Sequence, residues 1–112
     1  MVNNHIYWKG EISAAHHLDL DYESKCKNVH GHNYIVEVWM YGELNENGMV
    51  MDFSKIKEAV MKYDHRDLND FFAQPTAEIL SIAIMEDLVA GNVSKARVRV
   101  WEDKDSYAEA ER

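Results

Sequence analysis

The stretch HGHNYIVEVWMYGEL, residues 30–44, alternates in side-chain character with a period of two. That period places every second residue on the same face of an extended strand. One face carries His30, His32, Tyr34, Val36, Val38 and Met40. The pattern therefore predicts a β-strand from about His30 to Leu44, with two histidines where the strand begins.

A second alternating stretch, NHIYWKGEISAAHHL, occupies residues 4–18. Its predicted core face carries Ile6, Trp8, Gly10, Ile12, Ala14, His16 and Leu18. Neighbouring antiparallel strands lie about 5 Å apart, so His16 can meet the two histidines of the other strand if the register allows it. His5 and His17 fall on the opposite face, and we interpret them as solvent-facing.

Two helices are predicted after these strands. Ser54 is expected to cap the first, in KIKEAVMKY, where Ile56, Val60 and Tyr63 share one side. The second is expected to open at Pro75 and to stop at Gly91. Its predicted core stripe consists of Ile79, Ile82, Ala83, Met85 and Leu88.

The alternation of side chains near the C-terminus predicts further strands. In KARVRVWE, residues 95–102, one face carries Ala96, Val98, Val100 and Glu102, and a short strand is expected over residues 106–110. The resulting order is β-β-α-α-β-β. It predicts an α+β fold in a single domain over residues 1–112, with an antiparallel sheet and both helices on one face.

Composition excludes several classes of function. The chain has 112 residues, one cysteine and a net charge of −8, so it forms no intrachain disulfide and is poorly suited to nucleic acid. No apolar run approaches the roughly 18 residues that span a membrane. The N-terminal residues lack a secretion signal, so a cytoplasmic location is expected. Local cations could still bind a phosphorylated small substrate.

The three histidines on the predicted core faces indicate a metal site. His16, His30 and His32 together would supply three neutral imidazoles and leave one coordination position open, the arrangement of catalytic zinc. Gly31 lets the backbone bend between two of these ligands. The alternative is that the histidines are scattered and satisfied by ordinary hydrogen bonds.

Other residues are candidates for proton transfer and for binding. Asp64 next to His65, with the thiol of Cys26 nearby, would form a proton-transfer group, although Asp-His is also a common turn dipeptide. Glu102 ends an apolar alternation, so it either needs bound donors or marks the emergence of the strand into solvent. Thr76 is interpreted first as part of the helix start.

Five segments together resemble the 6-pyruvoyl-tetrahydropterin synthase and 6-carboxy-5,6,7,8-tetrahydropterin synthase family. These are SAAHHL (13–18), CKNVHGHNY (26–34), GMVMDFSKIK (48–57), YDHRDLND (63–70) and PTAE (75–78). Their order and spacing make the resemblance specific, and it covers nearly the whole chain. It implies the T-fold, in which protomers join their sheets into a barrel, usually a homohexamer of two trimers with active sites at subunit interfaces.

The resemblance also implies roles for individual residues. His16, His30 and His32 match the zinc ligands, and Cys26 matches the catalytic thiol. Asp64 and His65 match the partners in proton transfer. Glu102 matches the carboxylate that anchors the pterin ring, and Thr76 lies where the pterin pocket is completed. For the substrate triphosphate, the candidate cations are Lys25, Lys27, His17 and Arg66.

The spacing between Cys26 and His30, with three residues between them, resembles the carboxy-tetrahydropterin branch of queuosine biosynthesis. This branch implies conversion of 7,8-dihydroneopterin triphosphate to 6-carboxytetrahydropterin, acetaldehyde and triphosphate. The alternatives are a 6-pyruvoyl-tetrahydropterin synthase, a non-catalytic zinc- or pterin-binding module, and a structural oligomer with surface histidines.

Overall fold

The computed structural model describes residues 2–112. The elements are β1 (Asn4–His16), β2 (His30–Gly42), α1 (Phe53–Met61), β3 (Arg66–Asp67), α2 (Ala77–Asp87), β4 (Val93–Asp103) and β5 (Ser106–Glu111). Short 3-10 turns occupy residues 25–27 and 68–70 in the connections. The predicted α+β class is confirmed, and both helices pack against the same face of the sheet.

The two long N-terminal strands pair antiparallel in one continuous register, from Asn4 opposite Gly42 to His16 opposite His30. Both strands end two residues earlier than predicted. After β1 the chain turns, and the backbone N–H of Leu18 donates to the carbonyl of Cys26 at 2.8 Å. At the end of β2, a Cβ on Gly42 would lie 2.0 Å from the carbonyl oxygen of Asn92. The close approach of these two backbones therefore requires glycine there.

The five strands lie in the order β3-β1-β2-β4-β5. The long strands and β5 pair antiparallel, as predicted. The prediction of a purely antiparallel sheet is wrong at one edge, because β3 runs parallel to β1 and pairs with Ala14 and Ala15. This two-residue strand lies in a segment that sequence reasoning interpreted as a connection, and two residues are too few to show a period.

The helix boundaries differ from those predicted. Asp52, not Ser54, caps α1, and its Oδ1 accepts from the Ser54 N–H at 2.8 Å. Both residue types cap well, but the carboxylate also complements the helix dipole. Thr76 caps α2, one residue after the predicted start at Pro75, and the helix stops at Asp87 rather than at Gly91. No helix in residues 2–112 has the length and apolarity needed to span a bilayer.

The core lies between the helices and one face of the sheet, and the predicted strand faces are confirmed there. Its fully buried side chains include Ile12, Tyr34, Val36, Val38, Met40, Ile56, Val60, Leu80, Ile84, Val98 and Val100. The predicted stripe on α2 is wrong for Ile79 and Ile82, which are 39% and 44% exposed. This helix carries apolar residues around its whole circumference, so packing against β4 and β5 decides which side is buried.

Candidate active site

The pairing of β1 with β2 brings three histidines together at one end of the sheet. His16 lies opposite His30, and His32 lies opposite Ala14, two residues along β1. Ring centroids of the three imidazoles are 4.6–5.0 Å apart, in edge-on arrangements. One ring nitrogen of each histidine lies within 4.8 Å of those of the other two. The predicted convergence of His16, His30 and His32 is confirmed.

Backbone carbonyls orient two of these rings. Nδ1 of His16 lies 2.8 Å from the carbonyl oxygen of Pro75, and Nδ1 of His30 lies 2.7 Å from that of Asn28. Because a carbonyl only accepts, each Nδ1 carries the hydrogen and each Nε2 keeps a lone pair. These two Nε2 atoms are 3.0 Å apart. Two lone pairs at this distance repel each other unless a shared proton or a metal ion lies between them.

The surroundings of the third imidazole, His32, favour a bound metal ion over a proton shared between His16 and His30. Nε2 of His32 is buried and makes no hydrogen bond within residues 2–112, although Glu102 Oε1 approaches it to 3.3 Å without good alignment. Burial lowers the pKa of His32, an effect that the nearby Glu102 carboxylate opposes and that His16 and His30 reinforce, so its imidazole is neutral near pH 7. Three imidazoles whose ring nitrogens converge fit the donor set of zinc.

Cys26 lies in the 3-10 turn of residues 25–27, on the connection between β1 and β2. Its N–H bonds Ser24 Oγ, and its carbonyl accepts from Leu18, two residues beyond His16. These contacts hold the backbone of the turn that carries the half-buried Cys26 close to the end of β1.

Asp64 and His65 form the expected pair, with Asp64 Oδ2 2.9 Å from His65 Nδ1. Both residues are bound to the backbone of Ser13. Asp64 Oδ1 accepts from the Ser13 N–H at 2.8 Å, and the His65 N–H donates to the Ser13 carbonyl at 2.7 Å. The bond from Ser13, followed by those from His65, lowers the pKa of Asp64 and keeps it ionised. His65 adopts a left-handed conformation with φ of 59°.

Within residues 2–112 this pair makes no direct polar contact with the other candidates, although His65 and His32 line the same cleft. No hydrogen bond or ion pair in residues 2–112 joins Asp64 or His65 to Cys26 or to the three histidines. The His65 side chain is 82% exposed, and its ring projects from the edge of the sheet. Asp64 orients the ring through Nδ1, so Nε2 of His65 is the nitrogen available to a second molecule.

Glu102 lies on the core side of β4, as predicted. The pairing of β4 with β5 is interrupted at this residue, between Trp101 and Asp103. Irregularities of this kind change the direction in which a side chain points. The Glu102 carboxylate lies 3.3 Å from Nε2 of His32, at the edge of the histidine cluster. A groove beside it is lined by Ala77, Glu78, Glu102, Ser106 and Tyr107. Thr76, directly before this groove, accepts from the Ile79 N–H at 3.1 Å and keeps its hydroxyl hydrogen free to donate.

Comparison with known proteins now decides the family. The model of the 6-pyruvoyl tetrahydropterin synthase family matches residues 5–112. The chain belongs to this family. An Archaeoglobus fulgidus protein provisionally named 6-carboxy-5,6,7,8-tetrahydropterin synthase is 43% identical over 105 residues, covering 90% of each chain. The dihydroneopterin monophosphate aldolase of Pyrococcus furiosus is 32% identical, covering 95% of this chain and 96% of that protein.

A solved structure supports the same conclusion about the fold. The 6-pyruvoyl tetrahydropterin synthase of Caenorhabditis elegans superposes with a TM-score of 0.75 at 28% identity, covering 100% of this chain and 97% of that one. The predicted T-fold of the tetrahydropterin synthase family is therefore confirmed for the protomer. The barrel and the hexamer implied by the resemblance stay predictions.

In this family member, sequence reasoning missed several residues around the histidines. The carbonyls of Pro75 and Asn28 orient His16 and His30, and backbone partners leave no signal in side-chain patterns. The hydroxyl of Tyr34 lies 3.2 Å from His16 Nδ1, and burial raises the pKa of Tyr34 above its usual value. The interpretation of His17 as solvent-facing holds only in part, because its side chain is 34% exposed while its Nδ1 is buried.

Proposed function

We propose that this protein is a zinc-dependent 6-carboxy-5,6,7,8-tetrahydropterin synthase. It would convert 7,8-dihydroneopterin triphosphate and one water molecule to 6-carboxytetrahydropterin, acetaldehyde and triphosphate, in the biosynthesis of 7-deazapurines such as queuosine. The observation that carries the proposal is the convergence of three imidazoles, with Cys26 on the connection between the two strands that supply them. The name of the Archaeoglobus fulgidus relative supports the same activity.

The metal would be held by His16, His30 and His32. Zinc bound there would act as a Lewis acid toward oxygens of the substrate side chain and acidify the adjacent C–H bonds. The carbonyls of Pro75 and Asn28 already direct two Nε2 lone pairs into the cluster, so little reorganisation of the ligands is needed.

Cys26 would remove a proton from the substrate side chain, a role supported by its place on the connection between the two strands that carry the histidines. His65 would transfer the second proton through Nε2, because Nδ1 is directed to the ionised Asp64. Since no polar contact within residues 2–112 joins this pair to Cys26, we propose that a neighbouring protomer supplies Asp64 and His65. The homohexamer expected of the family would provide such interfaces.

The Glu102 carboxylate would anchor the pterin ring by accepting hydrogen bonds from two adjacent N–H groups of the ring. Thr76 would complete the pocket. The Glu102 carboxylate lies at the edge of the histidine cluster, so a ring held there keeps the side chain close to the metal. The triphosphate would need cations. Lys25 and Lys27 flank Cys26 in the same turn, and Arg66 follows His65 directly. These residues and His17 are the candidates for triphosphate binding.

Substituting Glu102 by glutamine tests the anchoring role. A hydrogen bond to a charged group contributes about 1.5–3 kcal/mol, so KM should rise roughly 10–100-fold. Zinc content should stay unchanged, because Glu102 is not one of the three clustered ligands. Steady-state kinetics and metal analysis check both statements. Glu86→Gln, at an exposed position on α2, is the matched control. An unchanged KM in Glu102→Gln would rule out the anchor.

Product analysis tests the reaction itself. The zinc-loaded protein is incubated with 7,8-dihydroneopterin triphosphate, and the products are identified by mass spectrometry. Carboxytetrahydropterin with acetaldehyde is the expected result, whereas a pyruvoyl product would assign the chain to the other branch. Because the Pyrococcus furiosus relative is named a dihydroneopterin monophosphate aldolase, dihydroneopterin monophosphate is tested as a second substrate. Cleavage of that compound by this protein would contradict the proposed synthase activity and favour an aldolase. A zinc-loaded protein inert toward both substrates would favour a binding module.

A further inference from the structure

Tyr34 is a buried tyrosine whose hydroxyl has one polar contact. It follows His32 by two residues on the same face of β2, and its side chain is fully buried. Its Oη lies 3.2 Å from Nδ1 of His16, and no other hydrogen bond to this hydroxyl occurs in residues 2–112. A phenylalanine would fill the same volume without the cost of burying a hydroxyl. The contact with His16 is therefore the feature that distinguishes tyrosine from phenylalanine at this position.

The contact concerns the ring nitrogen that faces away from the cluster. The hydrogen on His16 Nδ1 is directed to the Pro75 carbonyl at 2.8 Å, and the Tyr34 oxygen, at 3.2 Å, is a second and weaker acceptor beside it. His16 is 1% exposed, so water does not compete for this hydrogen. Two acceptors around one N–H favour the tautomer that keeps the hydrogen on Nδ1 and the lone pair on Nε2.

Ring packing also restricts His16. Tyr34 packs edge-on against both His16 and His32, with ring centroids 6.0 and 5.4 Å apart. The His30 ring, which is only half-buried, has a single acceptor at Nδ1, the carbonyl of Asn28. His16 is thus the ligand candidate whose tautomer and orientation are most strongly determined by its surroundings.

We propose that Tyr34 is a positioning residue for the metal site, acting through His16. Together with the Pro75 carbonyl, it holds the imidazole with Nδ1 protonated and Nε2 directed at the other two histidines. This inference rests on the proposed metal site and adds a residue to it that contacts neither metal nor substrate. Its removal should weaken zinc binding without removing any ligand.

Tyr34→Phe, compared with the matched control Tyr63→Phe, tests the proposal on the full-length protein. Tyr63 is equally buried, but it packs against Phe71 and Phe72 rather than against the histidines. Loss of an outer hydrogen-bond partner typically weakens metal binding 10–100-fold, and the weaker of two acceptors should give about 10-fold. The measurement is zinc affinity by competition with a chromophoric chelator, with circular dichroism confirming that each variant is folded.

A second measurement reports on the tautomer directly. Long-range nitrogen NMR of histidine-labelled, metal-free protein should show His16 protonated at Nδ1 in the wild type and still mainly so in Tyr34→Phe, because the Pro75 carbonyl remains. An unchanged zinc affinity in Tyr34→Phe would overturn the inference, as would an Nε2-protonated His16 in the wild type. Failure of the proposed function would be visible separately, as a wild-type protein that binds no zinc or forms no carboxytetrahydropterin.

Discussion

Replacing Cys26 by alanine is expected to lower kcat by about 10²–10⁴-fold, the usual contribution of a positioned acid or base. Zinc content should stay at the wild-type value, because the thiol is not among the clustered ligands His16, His30 and His32. The fold should also persist, since Cys26 is held by its backbone N–H and carbonyl rather than by its side chain. Single-turnover kinetics with 7,8-dihydroneopterin triphosphate, together with metal analysis, measure the two effects on the same preparation.

The control for this variant comes from the same connection. Tyr22→Phe changes an exposed side chain four residues earlier and should leave both zinc content and kcat at wild-type values. Normal turnover by Cys26→Ala would show that the thiol takes no part in proton transfer. Loss of zinc in Cys26→Ala would instead assign the thiol to the metal, which differs from the role proposed above.

Replacing His30 by alanine is expected to weaken zinc binding by at least about 100-fold. Structural zinc contributes roughly 10–16 kcal/mol over four ligands, so one ligand accounts for about 3 kcal/mol. His30 is the better target than His16, because it is half-buried whereas His16 is 1% exposed and packs in the core. The affinity is measured by chelator competition, and activity should fall in parallel with zinc occupancy.

Thermal unfolding provides an independent measurement of zinc binding by the same variant. A metal that binds the folded chain raises its Tm, so a chelator should lower the Tm of the wild type. The chelator should have little effect on His30→Ala, because this variant holds little zinc. His5→Ala is the control, since His5 is exposed near the start of β1, at the other end of that strand from His16. Equal zinc affinity in His30→Ala and the wild type would remove His30 from the metal site.

Alternation made the strands and the histidine cluster predictable. Because side chains alternate strictly across a strand, the spacing of His30 and His32 was enough to place both on one face, and His16 followed from the same rule on β1. The convergence still depended on register, which the alternation of β1 alone leaves open by steps of two residues. The motifs supplied the remaining assignments, including Cys26 and Glu102, as a family resemblance.

Other features of the site could not be predicted because they depend on contacts between distant segments. The carbonyl of Pro75 reaches His16 across 59 positions of the chain, and backbone acceptors carry no residue-type signal. Ser13 holds Asp64 and His65 through its N–H and carbonyl, which any residue other than proline possesses. The exposure of Ile82 on α2 could not be predicted from the sequence either, because the apolar residues of that helix are not confined to one face.

The amino-acid sequence by itself therefore determined the α+β class, the faces of the long strands, and the set of imidazoles and acid–base residues available for chemistry. Tertiary structure alone decided the register that joins His16 to His30, the Pro75 carbonyl that selects the tautomer of His16, and the bonds from Ser13 that hold Asp64 and His65. The physical reason is that side-chain period is a local property of the backbone. Hydrogen bonds between remote segments and the choice of the buried helix face depend on the packing of the whole chain.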